Sequence, residues 1–170
     1  IERLSAQGVD AISLDDALSA LDRMIATGVH GTLAITSRFG PPPDLSLGTA
    51  ELPVLRFVDN PLIHFPGTEL VIETTLSFGR DPYLNDHAVA GHAVLPAVMG
   101  LEAMAQVASA LVPIGPKIVV SDIEFRRALN VPANGDVRIR IAALRREIAT
   151  TEVVLLAADD DFSAPCMRAS

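Results

Sequence analysis

The chain has one cysteine, Cys166, in 170 residues, so it can form no internal disulfide, and no Cys/His spacing resembles a zinc site. That usage fits a reducing, cytoplasmic setting. Basic charge is also scarce: Lys and Arg number 13 against 21 Asp and Glu, a net charge of −8. Nucleic-acid affinity rests on cations that neutralise phosphates, so no nucleic-acid partner is expected. No apolar run reaches the length of a bilayer span, and Ile1 does not open the basic and then apolar layout of a signal peptide; no membrane partner is expected either. The missing initiator Met points to a piece excised from a longer chain.

What is present is enough apolar material for a core. At 49% hydrophobic residues, the chain can build one globular domain with a fragment of a second. Ser13 reads as a helix N-cap with an acid three residues on, and Leu14, Ala17, Leu18, Leu21 and Ile25 follow at helical spacing until Thr27 and Gly28. Thr32 to Thr36 then reads as a short buried strand. Residues 1–38 therefore look like a short α/β segment, a unit that cannot bury both sides of its strand alone. Residues 39–60, from the Pro41-Pro42-Pro43 run onward, read as a Pro-rich linker.

Residues 61–170 carry strand candidates at 69–78, 118–126, 137–144, 152–157 and 164–169, and one long helix candidate, 96–112. Pro96 suits a first helical turn. The helix is apolar nearly all round, so burial is expected. A central helix wrapped by an antiparallel sheet is the hot-dog arrangement, and the fold class is α+β.

Between the first strand candidate and the helix lies His87-x-x-x-Gly91-x-x-x-x-Pro96. An imidazole, a glycine N–H and a helix start within ten positions are the parts needed to take a proton from beside a carbonyl and to hold the enolate oxygen. The plainer reading of His87 is a loop histidine bonded to backbone, and a spacing this loose carries false positives. Glu102 has two readings as well. With Gln106 and Ser109 it forms a narrow polar stripe that can simply face solvent; as the one carboxyl on an apolar helix it can instead be desolvated and donate a proton to a leaving hydroxyl.

His64, in His64-Phe65-Pro66-Gly67, imitates a catalytic start but lacks a proline and helix at the required distance. His92 fills a variable position inside the motif, and His30 lies outside the domain. Arg126, Arg127, Arg138, Arg140, Arg145 and Arg146 concentrate basic charge. They read first as solubilising strand faces and second as a docking surface for an acidic carrier protein or a phosphopantetheine arm.

From Asp81-Pro82-Tyr83-Leu84-Asn85-Asp86-His87 through Leu95-Pro96-Ala97-Val98-Met99-Gly100-Leu101-Glu102-Ala103-Met104-Ala105-Gln106, the sequence resembles the dehydratase domain of a type I polyketide synthase. The wording of the helix most resembles iterative enediyne-type synthases, with polyunsaturated fatty acid synthases next. Residues 1–38 resemble the end of the ketoreductase domain that precedes such a dehydratase. The resemblance implies a double hot dog of which residues 61–170 are the first half, supplying His87 while an aspartate comes from the second half. It also implies removal of water from a 3-hydroxyacyl thioester carried on the phosphopantetheine of an acyl carrier protein, with no cofactor bound directly. In related stand-alone dehydratases two single hot dogs pair and the acid sits six residues after the motif proline, where Glu102 stands here; a homodimer is then implied. The expected site is His87 and Glu102 as catalytic groups, with Gly91 and Pro96 at the thioester oxygen. A hot-dog thioesterase and a non-catalytic acyl-binding half domain remain the alternatives.

Overall fold

The computed structural model describes residues 11–27, 51–112, 118–133, 135–146 and 150–170. The chain divides into two compact units, residues 1–41 and 42–170. Of the first, helix α1 (Leu14–Thr27) is described. Its start follows from its sequence: the Asp16 backbone N–H donates to Ser13 Oγ at 3.1 Å, and the Ser13 hydroxyl donates back to the Asp16 carboxylate at 2.6 Å. The apolar stripe Leu14, Leu18, Leu21 and Ile25 is exposed. The expected strand at 32–36 lies outside the described residues.

The second unit is an antiparallel sheet on one helix. Strands β1 (Asn60–Phe65), β2 (Glu69–Leu76), β5 (Glu124–Phe125), β7 (Val137–Arg145), β8 (Thr151–Ala157) and β9 (Met167–Ala169) form a six-stranded sheet in the order β1-β2-β7-β8-β9-β5. Its described pairings are antiparallel. Helix α2 (Ala97–Leu111) lies chiefly on β7, with β2 and β8 beside it. Alternate residues Leu70 and Ile72, Ile139 and Ile141, and Val153 and Leu155 meet Ala103, Met104, Val107 and Leu111 in one buried core. This is the hot-dog fold. A smaller sheet, β3 (Ala88–Val89), β4 (His92–Val94) and β6 (Asn130–Val131), stands apart from the main one.

Four departures from the sequence reading have physical causes. The linker ends earlier than residue 60: Phe57 is fully buried, Val58 is buried, and β1 begins at Asn60. Strand β1 was hidden because His64-Phe65-Pro66-Gly67 reads as a motif. It is the end of β1 and a β-turn, with Pro66 and a left-handed Gly67 (φ 70°) in its centre and the Thr68 N–H donating to Phe65 O at 2.9 Å. The strand expected at 118–126 is only Glu124–Phe125; Ile118, Val119 and Val120, though β-forming, are exposed outside it. Last, α2 is one-sided rather than buried all round. Gly100, Ala103, Met104, Val107, Ala108 and Leu111 are buried, whereas Val98 is 73% exposed.

Candidate active site

The segment that presents His87 is fixed before and after it. Upstream, Asp81 accepts at both carboxylate oxygens from the Arg56 guanidinium, Nε to Oδ1 at 2.9 Å and Nη2 to Oδ2 at 2.6 Å. The Tyr83 hydroxyl adds a donor at 2.9 Å and the Ser77 N–H another at 3.0 Å. Burial pushes the Asp81 carboxyl up, but these donors, Arg56 first, outweigh it and hold its pKa below the ordinary 3.8. Burial and the Asp81 contact raise the Tyr83 hydroxyl above its usual range, so it stays a donor. From this anchor a 3-10 turn, Pro82–Asn85, carries the buried Leu84 and delivers the chain to Asp86 and His87.

Downstream, the Val94 N–H donates to His87 O at 3.1 Å, and the Leu95 N–H to Leu129 O at 3.0 Å. Between these lies the hairpin β3-β4, paired Ala88 to Ala93 and Val89 to His92. Its two loop residues, Ala90 (φ 51°) and Gly91 (φ 81°), are both left-handed, as a type I′ turn requires. The motif glycine is thus explained by the turn. Pro96 is the N-cap of α2, without a side-chain cap, and the first intrahelical bond is from the Gly100 N–H to Pro96 O at 3.0 Å. The N–H groups of Ala97, Val98 and Met99 therefore have no acceptor within the helix.

His87 is exposed on the wall of a cleft of about 310 Å³, formed by Val94, Leu95 and Ala97 on its own side and by residues 125–129, Cys166 and Met167 on the other. The cleft is apolar except for His87 and the rim arginines Arg126 and Arg127. Burial holds the Cys166 thiol above its ordinary pKa of 9.0, which keeps it neutral and a poor nucleophile. Arg126 is paired with Glu124 at 2.7 Å and Arg127 with Asp160, so neither presents an uncompensated charge. Arg138 and Arg140 are paired with Glu73 across β2 and β7, and Arg146 with Glu152, and none of these arginines lines this cleft. A larger cavity of about 490 Å³ runs along α2 between Met104, Ala108 and residues 118–121, and among the described residues no ionisable side chain lines it.

The structure brings His87 and the start of α2 together and keeps Glu102 apart. Among the described residues no carboxylate lines the His87 cleft, and neither Gly91 nor Pro96 does. Glu102 is exposed rather than desolvated in a single copy. It accepts from Gln106 Nε2 at 2.8 Å, and Gln106 Oε1 in turn accepts the Phe57 N–H at 2.9 Å. The polar stripe is therefore a tie between helix and chain rather than bare surface. His64 is half-buried at the end of β1, where burial lowers its pKa, and His92 is exposed on β4; neither lines the cleft. The Arg56–Asp81–Tyr83 network escaped the sequence reading, its one signal being an Asp-Pro-Tyr step close before the motif.

A family model for the polyketide synthase dehydratase domain matches residues 58–156. Similar solved structures include the dehydratase domain from the CurK module of curacin polyketide synthase, at TM-score 0.57 and 19% identity over 67% of this chain and 42% of that one. The dehydratase domain from the CurF module of the same synthase is similar at TM-score 0.56 and 18% identity, over 67% of this chain and 42% of that one. At such identity the likeness is one of fold, and the chain spans under half the length of these domains. No curated protein matches it. With more than half of its residues inside the family model, the chain belongs to the polyketide synthase dehydratase domain family.

Proposed function

We propose that this chain supplies the histidine-bearing half of an active site that removes water from a 3-hydroxyacyl thioester, delivered on the phosphopantetheine arm of an acyl carrier protein during polyketide chain building. One observation carries the reading: His87 and the uncapped start of α2, through Ala97, line the same largely apolar cleft. A neutral imidazole suits general-base work near neutral pH. His87 takes the α-proton. The N–H groups at the helix start, aided by the positive end of its dipole, hold the thioester oxygen as charge develops on it. Val94, Leu95, Leu129 and Met167 offer apolar surface to the acyl chain and limit water. Gly91, expected to share in holding that oxygen, returns the chain from His87 towards Pro96 through its left-handed turn.

The departing hydroxyl needs a proton, and among the described residues no carboxylate of this cleft can give it. The acid comes from outside: from Glu102 of a second copy, or from a second hot dog of the same synthase, the double-hot-dog arrangement that the family resemblance implies. The second source is favoured by the chain spanning 42% of the solved domains it matches. From the same family resemblance, residues 1–38 would be the end of a ketoreductase-like neighbour, to which the exposed stripe of α1 would pack. The enediyne-type wording around α2 supports a synthase of the iterative kind. Among the described residues no helix is long and apolar enough to cross a membrane.

The test offers the synthase containing this chain both an acyl and a 3-hydroxyacyl thioester. Enoyl product from the second, without thiol release from either, is expected. Thiol release without enoyl formation would instead establish a thioesterase, and no turnover by a folded, complete synthase would leave only an acyl-binding role.

A further inference from the structure

Arg56 lies 25 residues before Asp81, in a segment with no helix and little strand, yet each of its three guanidinium nitrogens donates a hydrogen bond. Beyond the paired contacts to Asp81, Nη1 donates to Thr74 Oγ1 at 3.1 Å and Nη2 to Thr75 O at 2.9 Å. Its partner is more enclosed than a surface pair, with the Asp81 side chain 1% exposed against 23% for Arg56. The next residue, Phe57, is fully buried, stands under the guanidinium at 4.9 Å, and donates its N–H to Gln106 of α2. Two consecutive residues thus tie together the carboxylate from which the His87 turn starts and the helix whose first turn lines the same cleft.

We infer that Arg56, Asp81 and Tyr83 are positioning residues that set His87 against the start of α2, with the Arg56-Phe57 strap as the common tie. The inference rests on His87 being the base. Geometry gives it force: the forked Arg–carboxylate pair fixes direction as well as distance, which a lysine cannot copy. The five residues between Asp81 and His87 are held by the Leu84 N–H donating to Asp81 O at 3.0 Å and by the buried Leu84 side chain, so a tilt of the Asp81 carboxylate is passed to His87 rather than absorbed. A misplacement of about 1 Å at a reacting group can cost about a hundredfold in rate.

The test compares Arg56→Lys, Tyr83→Phe and His87→Ala in the synthase containing this chain, reading kcat, KM and thermal midpoint with a 3-hydroxyacyl thioester. Expected are a kcat lowered about tenfold in Arg56→Lys and several-fold in Tyr83→Phe, KM within about twofold of the parent, and no turnover in His87→Ala. Tyr83→Phe removes one hydroxyl and leaves the ion pair in place, so it carries the test if Arg56→Lys does not fold. Parental kcat per folded molecule in Tyr83→Phe, or a raised KM at unchanged kcat, with His87→Ala inactive, overturns the positioning role alone. An active His87→Ala overturns the function on which it rests.

Discussion

Folding changes the chemistry of Asp81 through the donors gathered around it. Its folded pKa lies below the ordinary 3.8, so its hydrogen bonds stabilise the fold fully above that value, and the contribution is lost as pH falls through the depressed pKa. Asp81→Asn should therefore cost roughly 3 kcal/mol at neutral pH, because it leaves Arg56 without its counter-charge. The gap to the parent should narrow below pH 3.8, as denaturation followed across pH will check. Ala90 is the opposite case, a residue ill suited to its place. Its φ of 51° costs an alanine about 1 kcal/mol, and Ala90→Asn should raise stability by about 0.5–1 kcal/mol in a denaturant titration. At this scale the motif was legible because its parts are local: a turn glycine and a helix-starting proline follow His87 within a hairpin and the helix start after it. Arg56 was not, since its partners are named only by the register of β2 and by a turn 25 residues away.

At the scale of elements, β2, β7, β8 and α2 were readable from apolar period and length, and they form the core. The strands that were missed are short or masked by motif-like wording. Strands β3, β4 and β6 have two or three residues each, too few to show a period, and β4 reaches the cleft through Val94. Helix α2 misled in a different way: its composition is apolar on both sides, so sequence cannot say that Val98 and Glu102 stay exposed while Gly100 is buried. Gly100 has a contact reason to be small. A Cβ there would run into Met167 Sδ and lie 2.9 Å from Met167 Cε. Because a thioether is flexible, Gly100→Ala should alter the thermal midpoint little, the clash offset by about 1 kcal/mol of helix propensity. Met167 also lines the cleft, so the displaced side chain should narrow it and raise KM for long acyl chains above that for short ones.

At the scale of the molecule, the question is where the second catalytic group comes from. The fold and family were legible from one helix, its flanking strands and some 26 residues around His87, but a single chain cannot display a group contributed by another half. If Glu102 of a second copy is the acid, Glu102→Gln should abolish turnover and activity should rise with the square of concentration at high dilution. If a second hot dog of the synthase supplies it, Glu102→Gln should lose only the tie to Gln106, worth about 0.5 kcal/mol, and keep its kcat. In either case the proposed function needs His87 as the group that takes the α-proton. The most direct measurement is deuterium loss from an α-deuterated 3-hydroxyacyl thioester, followed alongside enoyl formation in the synthase containing this chain and in its His87→Gln variant. The parent should lose α-deuterium as enoyl product forms and His87→Gln, still folded, should lose none; deuterium loss at the parental rate in that variant would rule His87 out as the base.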